Sequence, residues 1–406
     1  MLNKISYLFP ALENKNYKIY SLTQLVSLIG TWIQIVAEGW LVFQLTNSPF
    51  WVGVVAALGF LPVLLFGLFA GTIVDRFPKR ALFLFTQISA MTLALILGIL
   101  TLTGLINLPA IAVLAFLLGI VSALDSPLRF ALVGEMVEKP HLASAIALGG
   151  SIFNAARVIG PAVAGLLIAA TGVGWAFIIN GFSFFLPIFS VFFIRFPKYK
   201  KIEHPHPFES IKIGIRYAFT HPIIKLLLIY VGLVAIFGWS YVTIMPVIAE
   251  EVFHQDSAAL GMLYSASGLG SILGASLIST LMKKFDFKNI VFSGSLIFVL
   301  FIFLFTLTSN YTLALILLFF SGLGIAIQNI VLTTAVQHEV EGHLRGRVMS
   351  IYLIMFVGLA PLGSFQIGFL AEHLNSMTAI RIGAVIILFS AILLNYHLRK
   401  LETPKS

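Results

Sequence analysis

Gly71-Thr72-Ile73-Val74-Asp75-Arg76-Phe77-Pro78-Lys79-Arg80 is a charged knot between two apolar runs of about two dozen residues each. A stretch of that length almost free of charge crosses hydrocarbon as a helix, so the knot reads as a tight turn joining two membrane-spanning helices. The rest of the chain repeats this arrangement. With 406 residues, 59% hydrophobic and only 10% charged, it lacks the polar side chains needed to cover a water-soluble surface.

Twelve apolar segments follow one another at roughly 19–44, 50–74, 81–104, 109–130, 143–170, 174–195, 223–248, 258–282, 289–308, 311–334, 348–372 and 377–398. All but Arg157 and Arg381 of the 25 Lys and Arg fall in the N-terminal tail and alternate loops, whereas the loop holding Glu250, Glu251 and Asp256 has no base. The positive-inside rule then puts both termini and the Asp75 turn in the cytoplasm. The net charge of +9 reports that topology and the anionic inner leaflet, and argues for no nucleic-acid partner. The polar N-terminal residues, with Lys4, Lys15 and Lys18, precede a run too long for a signal peptide, so the N-terminus is expected to be retained.

The longest polar interruption divides the chain into residues 1–195, a linker over 196–222, and residues 223–406, with six segments on each side. Within the linker, Phe208 to Phe219 alternates apolar and charged positions at helical spacing, which predicts an amphipathic helix on the membrane surface. His204 and His206 flank Pro205 without a carboxylate cluster and do not make a metal site. The two halves echo each other weakly. Gly67 and Gly71 have a counterpart in Gly270 and Gly274, where small residues four apart let helices approach, and Gly160-Pro161 answers Ala360-Pro361.

In their order and spacing, Gly71, Asp75, Arg76, Lys79 and Arg80 resemble the loop between the second and third helices of the major facilitator superfamily, with Pro78 where glycine is commoner. Arg157 to Gly165, carrying Gly160 and Pro161, is similar to the glycine-proline signature of drug antiporters, with Ala147 and Ala156 replacing its upstream glycines. Leu344 to Ser350, together with Pro127 and Arg129, resembles the branch that contains macrolide efflux proteins and the enterobactin exporter. The resemblance implies an all-α membrane protein of twelve helices in two pseudo-symmetric six-helix halves, with a substrate cavity between them near the bilayer midplane. It implies that Asp75 lies against the start of segment eleven, that the neighbouring bases pair with Asp125, and that these contacts with Arg129 form a gate. Gly160, Pro161 and Gly165 would give a kinked, small-faced helix packed against the other half.

Ionisable groups inside hydrocarbon are costly and therefore mark function. Glu38 and Arg157 lie deep, about 9 Å apart along the membrane normal on helices that neighbour each other in this fold, which predicts a pair able to couple proton movement. Gln24, Gln34, Asn154, Trp239, Tyr241, Gln328, Asn329 and Gln366 are the candidates for an amphipathic cavity. Cysteine is absent, and no phosphate-cradling loop, metal-ligand spacing or paired nucleophile appears, so neither an enzyme nor a cofactor is expected. The expectation is a monomeric exporter in a bacterial inner membrane, bathed in lipid. It would exchange protons for a bulky amphipathic small molecule such as an antibiotic or siderophore. An importer of a small solute and a non-transporting receptor of the same fold are the alternatives.

Overall fold

The computed structural model describes residues 9–194, 207–342 and 344–402. His204 and His206 lie outside these residues. Among the described residues, twelve helices long and apolar enough to span a membrane follow in chain order. The first half holds α1 (Lys15–Thr46), α2 (Pro49–Arg76), α3 (Lys79–Leu102), α4 (Leu108–Met136), α5 (Leu142–Thr171) and α6 (Val173–Ser190). The second holds α7 (Pro222–Val252), α8 (Ser257–Lys284), α9 (Phe287–Phe305), α10 (Tyr311–Glu339), α11 (Arg345–His373) and α12 (Ser376–Glu402). A shorter helix over Pro207–Thr220 covers the stretch read as amphipathic and packs on the second half, where Gly214 faces Arg347 and Ile351.

Of the charged knot, only Phe77 and Pro78 stand between helices. The last turn of α2 includes Asp75 and Arg76, and α3 opens on Lys79. This turn, the start of α1 and the end of α12 lie on one face of the bundle, called here the terminal face. On the opposite, far face, helix starts are written in the sequence as short polar residues whose side chains accept an otherwise unsatisfied backbone N–H. Ser48 caps Trp51, Asn107 caps Ala110, Asp256 caps Ala259, Asn310 caps Leu313 and Asn375 caps Thr378.

Besides a break in α6 at Phe184, two of the spans carry π turns inside them. Helix α7 widens into a π turn over Val234–Gly238 and tightens to a 3-10 turn over Ser240–Val242, and α11 has a matching π turn at Ile354–Gly358. Proline accounts for the break in α7: Pro246 has no N–H to offer the carbonyl of Val242, four residues back. That carbonyl accepts instead from the hydroxyl of Tyr264 on α8 at 2.8 Å.

The halves meet where glycine removes side chains. On α2 and α11, a Cβ at Gly53 would lie 2.8 Å from the Cα of Gly368, and one at Gly368 would lie 2.8 Å from the carbonyl oxygen of Pro49. On α5 and α8, Gly165 abuts Ser257 and Ala258, and Gly261 abuts the carbonyl of Pro161. Ser257 Oγ donates to the Gly165 carbonyl at 3.3 Å and Ser265 Oγ to that of Val158 at 2.9 Å. These contacts belong to the far-face and middle parts of the four helices. At their terminal-face ends, a Cβ on Gly71, Gly149, Gly150 or Gly346 would find no atom within 4 Å.

The echoed glycine pairs therefore behave differently. Gly274 lets α8 press on α10, where a Cβ would stand 2.6 Å from the Leu323 carbonyl, and Gly270 is tighter still. Gly67 and Gly71 make no such approach, correcting the expectation that both pairs serve helix packing.

Candidate functional site between the halves

A recess opens at the junction of α1 and α5 with α7 and α8, near the middle of the helices. The first half contributes Trp32, Arg157 and Pro161; the second contributes Trp239, Tyr241, Tyr264 and Ser267, among others. The broken geometry of α7 turns Trp239, Tyr241, Val242 and Met245 toward one space, which a regular helix of the same length would distribute around its circumference. The Tyr241 and Ser267 hydroxyls are 3.1 Å apart, and Trp239 packs edge-on against Phe356 with centroids 6.3 Å apart.

Arg157 is the charge in this recess. Its guanidinium carbon sits 5.5 Å from the centre of the Trp239 ring, within cation–π range, and Tyr241 is close enough to act on it electrostatically. The buried Nε has no hydrogen-bond partner among the described residues.

Glu38 is elsewhere. The expected Glu38–Arg157 pair does not form, and the reason is rotation about α1 rather than depth. Gly160, beside Arg157 on α5, abuts Trp32 and Ile29, so Trp32 is on the side of α1 that meets α5. Glu38 is six residues further on, about 120° away around the helix, on the same side as Gln34. The Gln34 amide is a hydrogen-bonding neighbour of Glu38, and its Oε1 accepts from Asn180 Nδ2 of α6 at 2.5 Å. Ser183 Oγ donates to Asn180 Oδ1 at 3.1 Å, and Gly30 leaves room for this pair. Glu38 thus ends a polar chain running from α1 into α6.

The other sequence candidates separate into groups. Gln34 is taken up by Asn180. Gln328 lies inside the second half, its Oε1 reached by Tyr230 Oη at 3.4 Å while Tyr230 also donates to Ser295 at 2.7 Å. Asn154 donates to the Gly150 carbonyl of its own helix at 2.9 Å. Gln24 and Gln366 have both amide atoms buried without a partner among the described residues, and Asn329 is half-buried. Trp32 and Tyr264 were missed in sequence. Trp32 is one aromatic in an apolar run, and Tyr264 gains meaning only from the carbonyl that Pro246 frees.

At the terminal face the bases distribute differently from expectation. Asp125 is buried and pairs with Arg129 one turn on, while Thr86 Oγ1 and Gln87 Nε2 donate to its Oδ1 at 3.1 and 2.9 Å. Lys79 pairs with Glu135 of α4 rather than with Asp125. Asp125 and Arg129 therefore tie α3 to α4 within the first half. At the far face, Glu372 at the end of α11 accepts from Ser48 Oγ at 2.7 Å and from the Phe50 N–H at 3.1 Å, a carboxylate at the start of α2 in the other half.

Residues 6–406 match the family model described as transmembrane secretion effector. The chain is 27% identical to the staphyloferrin A transporter of Staphylococcus aureus over 85% of its own length and 86% of that protein. It is 27% identical to the multidrug efflux pump Tap of Mycolicibacterium fortuitum over 84% and 86%, and 23% identical to the enterobactin exporter EntS of Shigella flexneri over 99% and 98%. Among solved structures, a bacterial homologue of the human lysosomal transporter Spinster superposes with a TM-score of 0.77 at 15% identity, covering 97% of each chain. The nucleoside transporter NupG superposes with a TM-score of 0.70 at 12% identity, covering 96% of this chain and 99% of that one. With the family model spanning almost the whole chain and twelve helices in two halves meeting at a central recess, the protein belongs to the transmembrane secretion effector family of major facilitator transporters.

Proposed function

We propose that the protein is a secondary exporter of a bulky amphipathic small molecule, an antibiotic or siderophore, driven by proton exchange in a bacterial inner membrane. The observation that carries this reading is the recess itself: aromatic walls and one charge, contributed by both halves, near the middle of the bundle. A molecule bound there touches both halves, so its binding can bias their relative position. Among the relatives, the names multidrug efflux pump and enterobactin exporter support export over import, and staphyloferrin A transporter supports a siderophore as cargo. The 23-to-2 distribution of bases makes the terminal face cytoplasmic, so the glycine-lined closure is on the outer side and the gap is on the inner side.

Glu38 is the proposed proton carrier. A carboxyl at the end of a buried amide chain accepts a hydrogen bond from Gln34 when ionised. Protonated, it accepts that bond more weakly through its neutral carbonyl oxygen, so its charge state is coupled to the packing of α1 on α6. The Asp75 turn, with Gly71, Arg76, Lys79 and Arg80, is the proposed inner gate when the halves rock together.

Two measurements test the reading. A deletion strain profiled against antibiotics and under iron limitation should show increased sensitivity to one class or accumulate one siderophore internally. Reconstituted vesicles should acidify or alkalinise as that compound moves, and Glu38→Gln should exchange compound without responding to a pH gradient. Coupled proton flux that survives intact in Glu38→Gln removes the carrier role. Impermeant thiol labelling of a single cysteine at Phe253 from the cytoplasmic side alone would reverse the topology.

A further inference from the structure

Arg157 is a cation held in the middle of a membrane protein with its charge unbalanced. Among the described residues, neither Arg157 nor Glu38 is in an ion pair, and no acidic residue lines the recess. The groups that do face the guanidinium are π faces and hydroxyls. Trp239 offers its ring face, and Tyr241 and Ser267 offer oxygens that already share a hydrogen bond with each other. Tyr264 donates its proton to the Val242 carbonyl. A guanidinium carries five N–H donors in a planar fork, and cation–π contact with Trp239 satisfies none of them as a hydrogen bond would.

A half-buried charge in the middle of a membrane protein is costly without a counter-ion, and a ligand that supplies the opposite charge relieves that cost. The fork fits two oxygens of a carboxylate side by side, in surroundings of low dielectric where the pairing is strong. The same charge repels a cationic molecule from the recess. The walls around it, Trp32, Trp239, Tyr241 and Tyr264, suit an aromatic or otherwise flat apolar body attached to the anion.

We propose that Arg157 is the anion-recognition residue of this recess, and that the transported molecule is an amphipathic carboxylate, its carboxylate on Arg157 and its apolar body against Trp32, Trp239 and Tyr264. This rests on the reading that the recess holds the substrate, and it narrows that substrate from any bulky amphipath to an acidic one.

The test uses three probes with one aromatic body and three charges: 1-naphthoate, 1-naphthamide and 1-naphthylmethylammonium. Binding to the purified full chain in a non-ionic maltoside detergent is followed by calorimetry, and by quenching of tryptophan fluorescence. Naphthoate is expected to bind about tenfold or more tightly than the amide, and the ammonium to bind weakest. Arg157→Gln should bring naphthoate down to the affinity of the amide while leaving the amide unchanged. Arg157→Lys, which keeps the charge and loses the fork, should fall between them. Tyr230→Phe, inside the second half and away from the recess, should leave naphthoate binding intact, and a monodisperse elution profile for each variant shows that it folds.

Equal affinity for all three probes overturns the anion assignment while leaving a substrate recess in place. Absence of any binding removes the recess as a ligand site altogether. Naphthoate binding unchanged by Arg157→Gln places the anion elsewhere and overturns the proposal. In nanodiscs, loss of naphthoate binding when phosphatidylglycerol replaces phosphatidylcholine would make a lipid phosphate the occupant, and that also overturns it.

Discussion

The contact between Gly53 and Gly368 offers a direct way to move the equilibrium between the two ends of the bundle. A methyl group at Gly368 would sit 2.8 Å from the Gly53 Cα and 2.8 Å from the Pro49 carbonyl oxygen, both backbone atoms that cannot rotate away. Forcing a methylene-sized group into such a contact costs about 1–3 kcal/mol. Nothing equivalent penalises a conformation in which this face has parted, so Gly368→Ala should raise the far-face-open population by about 5- to 150-fold. Gly71→Ala is the matched control, because a Cβ there meets no atom within 4 Å. Both changes gain a similar helix propensity of about 1 kcal/mol, so their difference isolates the contact.

The chain has no cysteine, and Met245 is buried in the recess, so Met245→Cys makes a single reporter. Its modification rate by an impermeant thiol reagent applied at the far face should rise with Gly368→Ala and stay unchanged with Gly71→Ala. Equal rates in the two backgrounds would refute the assignment of these glycines to the closure.

Three further outcomes are expected. Glu372→Gln removes the carboxylate from exposed bonds to Ser48 and Phe50 and should open the same face only about two- to fivefold, read with the same reporter. Asp125→Asn breaks a largely buried pair with Arg129 and should cost about 3 kcal/mol of stability in detergent, measured by thermal unfolding, because the guanidinium is left uncompensated. Tyr230→Phe loses its bond to Ser295 and should cost about 1 kcal/mol in the same assay without changing transport, since that cluster is interior to the second half.

Span number was legible because bilayer thickness fixes segment length, whereas ends such as that of α4, expected at 130 and found at Met136, were not. Segment five, expected over 143–170, is the helix Leu142–Thr171. Polar residues in apolar runs drew attention to Arg157, Trp239 and Tyr241, which line one recess. What periodicity could not supply was the rotation of each helix. Glu38 and Trp32 belong to one helix and differ by about a third of a turn, which decides that one enters the chain through Gln34 and the other meets α5. The same ignorance hid the division of labour among glycines. Gly270 and Gly71 look alike in sequence, yet one presses on α10 and the other faces open space. The pairing of Lys79 was misassigned for a related reason: Glu135 is nearer to it than Asp125 is, and only three-dimensional distance shows it.

The closure built from Gly53, Gly165, Gly261 and Gly368 has a mechanical character set by what it is made of. Backbone touching backbone is held by dispersion, about half lost once the surfaces part by an ångström, together with the short-range Ser257, Ser265 and Glu372 hydrogen bonds across the same seam. Such a joint behaves as a snap fastener rather than a spring: it resists fully until it yields, and then offers almost no restoring force. Distances across the far-face rim, followed in single molecules, should therefore jump between two levels with no dwell between them, and mutations at these glycines should change how long each level lasts while leaving the levels themselves in place.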